Sequence, residues 1–490
     1  MKHVEIKHIV IGFSMVCASL LNAQNTFTIE DIILRSQTQS PSFKIAETRK
    51  ENRYWQFRYY KTNYVPQLRL LTNSFGSLYR NEYTPNRLDN GSLDYIKVNQ
   101  LNPAVNFSIQ QPIALTGGQI EVNTSYNYVG DLISHEKLWN GRPVNISIDQ
   151  PLFAYNPLKW DRKIEPILYE ESKRDYAEGM ESIARDASNL FFNVLQEQIN
   201  LQIAQFNLAN NDTIYKIEQG RYNIGTTSED KLLQIELQLL RSRQDVAQAR
   251  LDFQTASLLL RTFIGLRNGE EFELLLPSDI PMFQVSEDEA LTYAKETRSA
   301  FIAFQRRKFE AEAAVAQAKG QRYEASLTAA YGLNNVGQTI NELYQNPARQ
   351  QAANLSLNIP VIDWGRRKAL MRRAYANKKL TDYIIDQDQV NFEQEILTKV
   401  RQFEMLRLQI EITKKSDQVA LQRYNVAQNR YLIGKTDILN LSTALREKDE
   451  AKRSYVLALK SFWTSYYDLR RLTLYDFIDR KYLYNPMVQE

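Results

Sequence analysis

The chain has 490 residues, of which 43% are hydrophobic, 11% aromatic and 24% charged, the composition of an ordered protein and not of a disordered one. Its 61 basic and 57 acidic residues leave a net charge of +4 with no basic cluster that would suit a phosphate backbone, so nucleic acid is not an expected partner. Only 17 Gly and 14 Pro punctuate the chain, which favours long uninterrupted elements, and the supply of reactive side chains is small: one cysteine, Cys17, and three histidines, His3, His8 and His135.

Lys2 and Lys7 precede an apolar run over residues 9–21, which Asn22, Ala23 and Gln24 close. That order of basic, apolar and cleavable segments reads as a secretory signal peptide over 1–24, shorter than the roughly 20 apolar residues of a membrane span. Beyond it no cysteine and one histidine remain. Disulfides, thiol nucleophiles and Cys/His or two-histidine metal sites are thereby excluded, and a Ser-His-Asp triad could rest only on His135. His135 lies in the polar stretch 131–141 and reads as a loop residue. No catalytic, cofactor-binding or metal residue is assigned, and no cofactor is expected. No later apolar stretch reaches about 18 residues, so an exported chain of this kind is secreted, periplasmic or a barrel in an outer membrane.

The predicted elements begin with a helix over about 29–63, interrupted near Pro41, and continue with segments of period two. Val105, Phe107 and Ile109 alternate with Asn106, Ser108 and Gln110, and Ile120, Val122, Tyr126 and Tyr128 alternate with Glu121, Asn123, Ser125 and Asn127. Gly117-Gly118 supplies a tight turn between these two runs; a phosphate-cradling loop would need a helix and a lysine that are missing. Val144, Ile146 and Ile148 alternate with Asn145, Ser147 and Asp149, and much later Leu355, Leu357 and Ile359 alternate with Asn354, Ser356 and Asn358. Strands apolar on one face and amide or hydroxyl on the other suit a barrel with lipid outside and water inside, and equally a half-buried sheet in a soluble sandwich. About four to six such strands cannot close a barrel alone, and open edges are not tolerated in lipid, so a membrane wall would require an oligomer. Whether the hairpin at about 103–130 adds wall strands is left open by the pattern.

Two long rods follow in each half. After Pro166 the chain holds no Pro and one Gly to residue 218, and 366–428 hold neither, enough for helices of roughly 80 and 95 Å at about 1.5 Å per residue. After Gly225, the positions Leu232, Ile235, Leu239, Ser242, Val246 and Ala249 open a lattice of alternating steps of three and four that runs to Phe263; its copy runs from Leu441 through Ala444, Lys448 and Tyr455 to Leu472. Only a short turn separates the rods of a pair, so each pair folds back as an antiparallel hairpin. A shorter helix is predicted over about 287–321. Residues 266–286 read as a linker, with 271–276 a candidate short strand in a belt that the tail could join.

The chain repeats itself at a fixed offset of 209 residues: 145–151 (NISIDQP) aligns with 354–360 (NLSLNIP), and Arg221-Tyr-Asn-Ile-Gly225 with Arg430-Tyr-Leu-Ile-Gly434. Before Asn145 the register breaks, because 64–68 matches 323–327, and the first half carries about 50 extra residues. The domains expected are a first repeat over 25–265, the linker 266–286, a second repeat over 287–474 and a tail over 475–490.

Signal peptide, two-fold repeat, amphipathic strands and paired helical hairpins together resemble the TolC-like outer-membrane efflux protein family. The Arg-Tyr-x-Ile-Gly turns and the strand-to-helix junction 359–367 (IPVIDWGRR), with its first-half version 150–157 (QPLFAYNP), carry the resemblance most specifically. The resemblance implies a mainly α fold with membrane β: long antiparallel hairpins forming a periplasmic α-barrel, and four strands per chain contributing to a trimeric outer-membrane β-barrel. It implies a homotrimer in outer-membrane lipid, a passive, non-enzymatic duct for an inner-membrane pump joined through a periplasmic adaptor protein. Arg221, Tyr222, Gly225, Arg430, Tyr431 and Gly434 would form the periplasmic tip and dock the adaptor, the glycines supplying a left-handed turn; for both tyrosines local packing is an equal reading. The family's tip constriction often carries acids after the second glycine. Asn440 and Thr443 stand where aspartates are expected, which leaves Glu229, Asp230 and Asp437, beside Asn440, as candidates, each acid being also a helix-start residue that the dipole favours. An exported coiled-coil scaffold or adhesin-like structural protein would explain the rods but not the duplicated amide-lined strands.

Overall fold

The computed structural model describes residues 25–72, 78–89, 91–266, 272–277, 280–281 and 283–485. The signal-peptide reading of 1–24 and parts of the linker lie outside the described residues. In chain order the first half holds β1 (Asn25–Phe27), α1 (Ile29–Gln39), α2 (Pro41–Thr62), β2 (Gln67–Thr72), β3 (Tyr79–Arg87), β4 (Leu93–Leu101), β5 (Ala104–Ile113), β6 (Gly118–Asp131), β7 (Lys137–Leu152), α3 (Pro157–Asn223) and α4 (Glu229–Ile264). The rest holds β8 (Phe272–Leu274), α5 (Glu287–Thr297), α6 (Ser299–Gly320), β9 (Glu324–Gly337), a 3-10 turn (Asn341–Tyr344), β10 (Ala348–Asn358), α7 (Arg366–Leu432), α8 (Ile438–Thr473), β11 (Tyr475–Asp476) and β12 (Lys481–Tyr482).

Corresponding helices of the two halves have equal lengths: 11 residues for α1 and α5, 22 for α2 and α6, 67 for α3 and α7, and 36 for α4 and α8. The first two pairs start 258 residues apart (Ile29 to Glu287, Pro41 to Ser299) and the last two 209 apart (Pro157 to Arg366, Glu229 to Ile438). The difference, 49 residues, falls between α2 and α3, where the first half has six strands and the second has two.

Local chemistry sets the helix ends. Thr28 and Asp31 form a reciprocal capping box at the start of α1, and Pro41 opens α2 at the position where a missing N–H costs nothing. Two boundaries differ from expectation. The rod α3 begins at Pro157 and runs through Pro166, because Asn156 caps it by accepting from Lys159 N–H at 3.2 Å and Tyr169 beyond the proline stacks on Phe57 at 4.5 Å. The helix expected over 287–321 is broken at Arg298, which is extended at φ −74° and ψ 141°. No Pro or Gly marks this break; it is held by Ser299 N–H donating to Glu178 (2.7 Å) and the Thr297 hydroxyl donating to the carbonyl of Thr473 (2.7 Å).

The molecule divides into two compact units. One comprises the described parts of Met1–Pro41, Asp186–Pro281 and Ile410–Ser461. Here the hairpin ends of the rods pack together, and β1 pairs in parallel with β8, the short linker strand the sequence suggested. The Gln198 side chain completes that ladder from α3, donating to the carbonyl of Leu274 (3.1 Å) and accepting from its N–H (3.0 Å). The lattice positions of α4 and α8 are all buried or half-buried. Two of its polar members are satisfied: Ser242 accepts from Asn211 at 2.7 Å, and Lys448 lies between the rings of Phe206 and Tyr424 while pairing with Asp449 at 3.2 Å.

The other unit comprises Ser42–Arg185, Met282–Gln409 and Phe462–Glu490, again in their described residues. Its helical core stacks Phe403 on Phe462 and Phe283 on Phe403, at 5.1 and 5.3 Å between centroids. Beside it the half-buried Arg470 is shared by Glu181 (2.8 Å) and Asp476 (2.9 Å), the two carboxylates neutralising a charge that desolvation alone would disfavour. In the described part of the tail β11 pairs with β12. Asp476 closes their turn by accepting from the N–H groups of Ile478 and Asp479, and Tyr475 stacks on Tyr293 at 4.1 Å.

This unit also holds the sheet, an antiparallel ladder in the order β2–β5–β6–β7–β9–β10, with the β3–β4 hairpin attached to the end of β6. Gly117, at φ +78°, makes the turn between β5 and β6. Because Phe462 is fully buried among aromatic rings, Phe462→Ala is expected to cost about 3–5 kcal/mol, read as a lower unfolding temperature of the detergent-extracted protein.

Candidate functional site

Along β5, β6 and β7 the apolar side chains occupy the more exposed face. Phe107 is 45% and Ile109 48% exposed, whereas Ser108 between them is 4% and Ser125 on β6 is 3%. A soluble half-buried sheet would show the reverse. The polar face is stitched together by amides: Asn145 donates to Asn123 at 2.8 Å and Asn123 to Asn106 at 3.2 Å, across three strands. The edge strands β2 and β10 carry Leu68, Leu70, Leu355 and Leu357, all exposed. His135 is an exposed residue of the turn between β6 and β7.

The two hairpin turns have the same backbone. Gly225 sits at φ +74° and Gly434 at φ +72°. In each the glycine N–H donates three residues back (to Tyr222 and Tyr431, both 2.9 Å) and the next N–H donates five back (Thr226 to Arg221, 2.9 Å; Lys435 to Arg430, 2.8 Å). This is the paired-bond helix stop that requires a left-handed residue, and it explains both glycines.

Their side chains differ. Tyr431 is 4% exposed and Tyr222 41%. The Tyr431 hydroxyl donates to Glu218 at 2.8 Å, Arg221 pairs with the same oxygen at 2.6 Å, and the Arg221 guanidinium lies 5.6 Å from the centre of the Tyr431 ring. Burial, then the bond to Glu218, raises the Tyr431 phenol well above its ordinary range. Burial pushes the Glu218 carboxyl up, but hydrogen bonds from Tyr431, Arg221 and Thr227 outweigh it and hold the group below its ordinary value. Beneath this link Ile214, Ile235, Tyr424, Leu441, Ala444 and Leu445 join both hairpins in one apolar cluster.

Arg221 and Tyr431 are thus brought together, by a carboxylate that the sequence pattern did not single out. The signal was present: Glu218 lies one turn before Arg221, while the position 209 residues on is Ala427. Tyr222 and Arg430 stay exposed and make no such link. At the helix starts Glu229, Asp230, Asp437 and Asn440 are all exposed; Asp437 accepts from Asn440 N–H at 2.8 Å, so this acid caps α8. Among the described residues no group of three His, Cys, Asp or Glu side chains is placed to hold a metal ion, and no helix is long and apolar enough to cross a membrane.

The profile of the outer membrane efflux protein family matches residues 134–266 and 294–473, more than half of the chain. The chain belongs to the outer membrane efflux protein family. Solved structures of similar fold include a membrane protein from Pseudomonas aeruginosa (14% identity, 91% of this chain and 93% of that one, TM-score 0.64), the CmeC outer membrane channel of Campylobacter jejuni (14%, 91% and 85%, 0.63) and the outer membrane protein VceC of Vibrio cholerae (13%, 91% and 95%, 0.62). At such identities the likeness is one of fold. No curated protein matches the sequence.

The buried Glu218 carboxylate is expected to make the packing of the hairpin ends pH-dependent. With its native pKa depressed, its contribution is present above the ordinary carboxylate value of about 4.3 and is lost as pH falls through the native value. Hydrogen-exchange protection across 214–232 and 424–441, taken relative to intrinsic exchange at each pH, is expected to fall in acid, and Glu218→Gln to flatten that dependence. Tyr431→Phe, which removes one donor from a buried carboxylate, is expected to cost about 1–3 kcal/mol of local protection, and Tyr222→Phe to leave it unchanged.

Proposed function

We propose that three copies of this chain form the outer-membrane channel of a tripartite efflux or secretion system, a passive duct that receives cargo from an inner-membrane pump through a periplasmic adaptor. The observation that carries this reading is the inverted sheet: an apolar face turned outward and an amide-lined face turned inward suit a wall between lipid and water. Family membership supports the transport role and an outer-membrane location.

The unfilled edges support assembly by copies of the chain. On α4, Leu233, Leu237, Leu240, Leu251 and Leu258 fall on heptad-related positions and are exposed, as are Leu408, Ile412, Val419 and Val426 on α7. One stripe belongs to the first half and one to the second, and the sheet likewise ends in β2 and β10. Edges of unlike halves fit a head-to-tail contact, which closes into a ring when the rotation allows. The matched helix lengths and constant offsets support a duplicated unit, with repeats over 25–265 and 287–474 joined by 266–286.

At the tip, Tyr222 and Arg430 are the exposed members of the two Arg-Tyr pairs and are assigned to adaptor docking; Arg221, Tyr431 and the glycines fix the shape they stand on. Glu229, Asp230 and Asp437, with Asn440, are assigned to the constriction.

Detergent extraction of the outer-membrane fraction tests the reading. A three-chain species that dissociates on heating and conducts ions in a planar bilayer is expected; a soluble chain without conductance would favour the exported coiled-coil scaffold. Ile146→Arg, on the apolar face, is expected to cost about 2–4 kcal/mol in the membrane and to reduce recovery of the heat-sensitive species.

A further inference from the structure

We propose that β5 and β6 are additional wall strands, their apolar faces against lipid acyl chains, so that each chain supplies six strands and three chains close an eighteen-stranded barrel. The count rests on the three-copy reading above, and it departs from the four strands per chain that the family resemblance implies.

The first support is the position of the 49 extra residues. By the two offsets β9 corresponds to β2 and β10 to β7, so the strands without a counterpart lie between β2 and β7. They do not form a flap over the sheet. β5 pairs with β2 from Gln67↔Gln110 to Thr72↔Val105, β6 pairs with β5 from Ala104↔Asn127 to Ile113↔Gly118, and β7 pairs with β6 from Gln119↔Asp149 onward. The ladder therefore runs through the insertion. An inserted pair also preserves topology, since β2 and β7 keep the antiparallel sense that β9 and β10 have.

The second support is the continuity of both faces. Leu68, Ile109, Val122, Ile146 and Tyr331 stand directly opposite one another on successive strands, an apolar row from β2 through the insertion to β9. One residue along, Arg69, Ser108, Asn123, Asn145 and Gly332 form the row on the other face. A one-residue slip at either new junction would have exchanged the faces. At 10 and 14 residues, β5 and β6 are as long as a tilted crossing of the hydrocarbon requires. Since barrel diameter grows roughly in proportion to strand number, the bore would be about one and a half times as wide as that of a twelve-stranded wall.

Single cysteines read the proposal directly, in the full chain with Cys17→Ser, assembled in outer membranes. Ile109→Cys and Val122→Cys report on the insertion; Ile146→Cys and Tyr331→Cys report on the strands present in either count; Gln110→Cys and Asn123→Cys, half-buried in the single chain, report on the polar face. The expected result is loss of labelling by a water-soluble, membrane-impermeant maleimide at Ile109, Val122, Ile146 and Tyr331 alike, with labelling retained at Gln110 and Asn123. Labelling at Ile109 and Val122 while Ile146 and Tyr331 stay protected would overturn the added strands and leave the channel standing. Labelling at all four would overturn the membrane wall itself, and the inference with it.

Discussion

The described ladder ends on β2 at one side and β10 at the other, and beyond each lies a row of backbone N–H and C=O groups without a strand partner among the described residues. In water such edges invite aggregation, and in hydrocarbon each unmet group costs several kcal/mol. The faces add a second demand, because Phe107, Ile109, Val122 and Ile146 are exposed while Ser108, Ser125 and Asn145 are buried. The proposed assembly meets both: copies of the chain joined edge to edge into a closed wall, lipid outside and water within. The exposed leucine stripes on α4 and valines on α7 make the same demand of the helical hairpins, again at one edge from each half.

The hairpin ends show how a repeat becomes specialised. Backbone geometry is shared, since both turns need a left-handed glycine and both close with the same pair of hydrogen bonds. The side chains are not shared. Glu218 draws Tyr431 and Arg221 into a buried link between hairpins, and Ala427 at the equivalent place removes the carboxylate from the other side. One tyrosine is thus consumed by structure and its twin is left at the surface, where a partner can reach it.

Much of this was legible in residue patterns. Long rods followed from the absence of Gly and Pro, the hairpins from the Arg-Tyr-x-Ile-Gly turns, and the paired strands from period-two alternation. Which face of those strands is exposed was not legible, because alternation is the same for a soluble sandwich and a lipid-facing wall; in the structure Ser108 is buried and Ile109 exposed. The break at Arg298 was hidden because contacts from Glu178 and Thr473, distant in sequence, hold it in place of a proline. Pro166 misled in the opposite sense, since packing of Tyr169 on Phe57 keeps the helix intact past it. Lys448 in an apolar seam made sense only when the rings of Phe206 and Tyr424 were seen around it.

A density map of the particle extracted from outer membranes and held in a lipid nanodisc would separate a closed wall from an open sheet. A three-fold ring is expected, in which β10 of each copy pairs with β2 of the next and six strands of every chain stand within the lipid belt. A particle whose sheet lies outside the lipid, with β2 and β10 open to water, would contradict the closed wall.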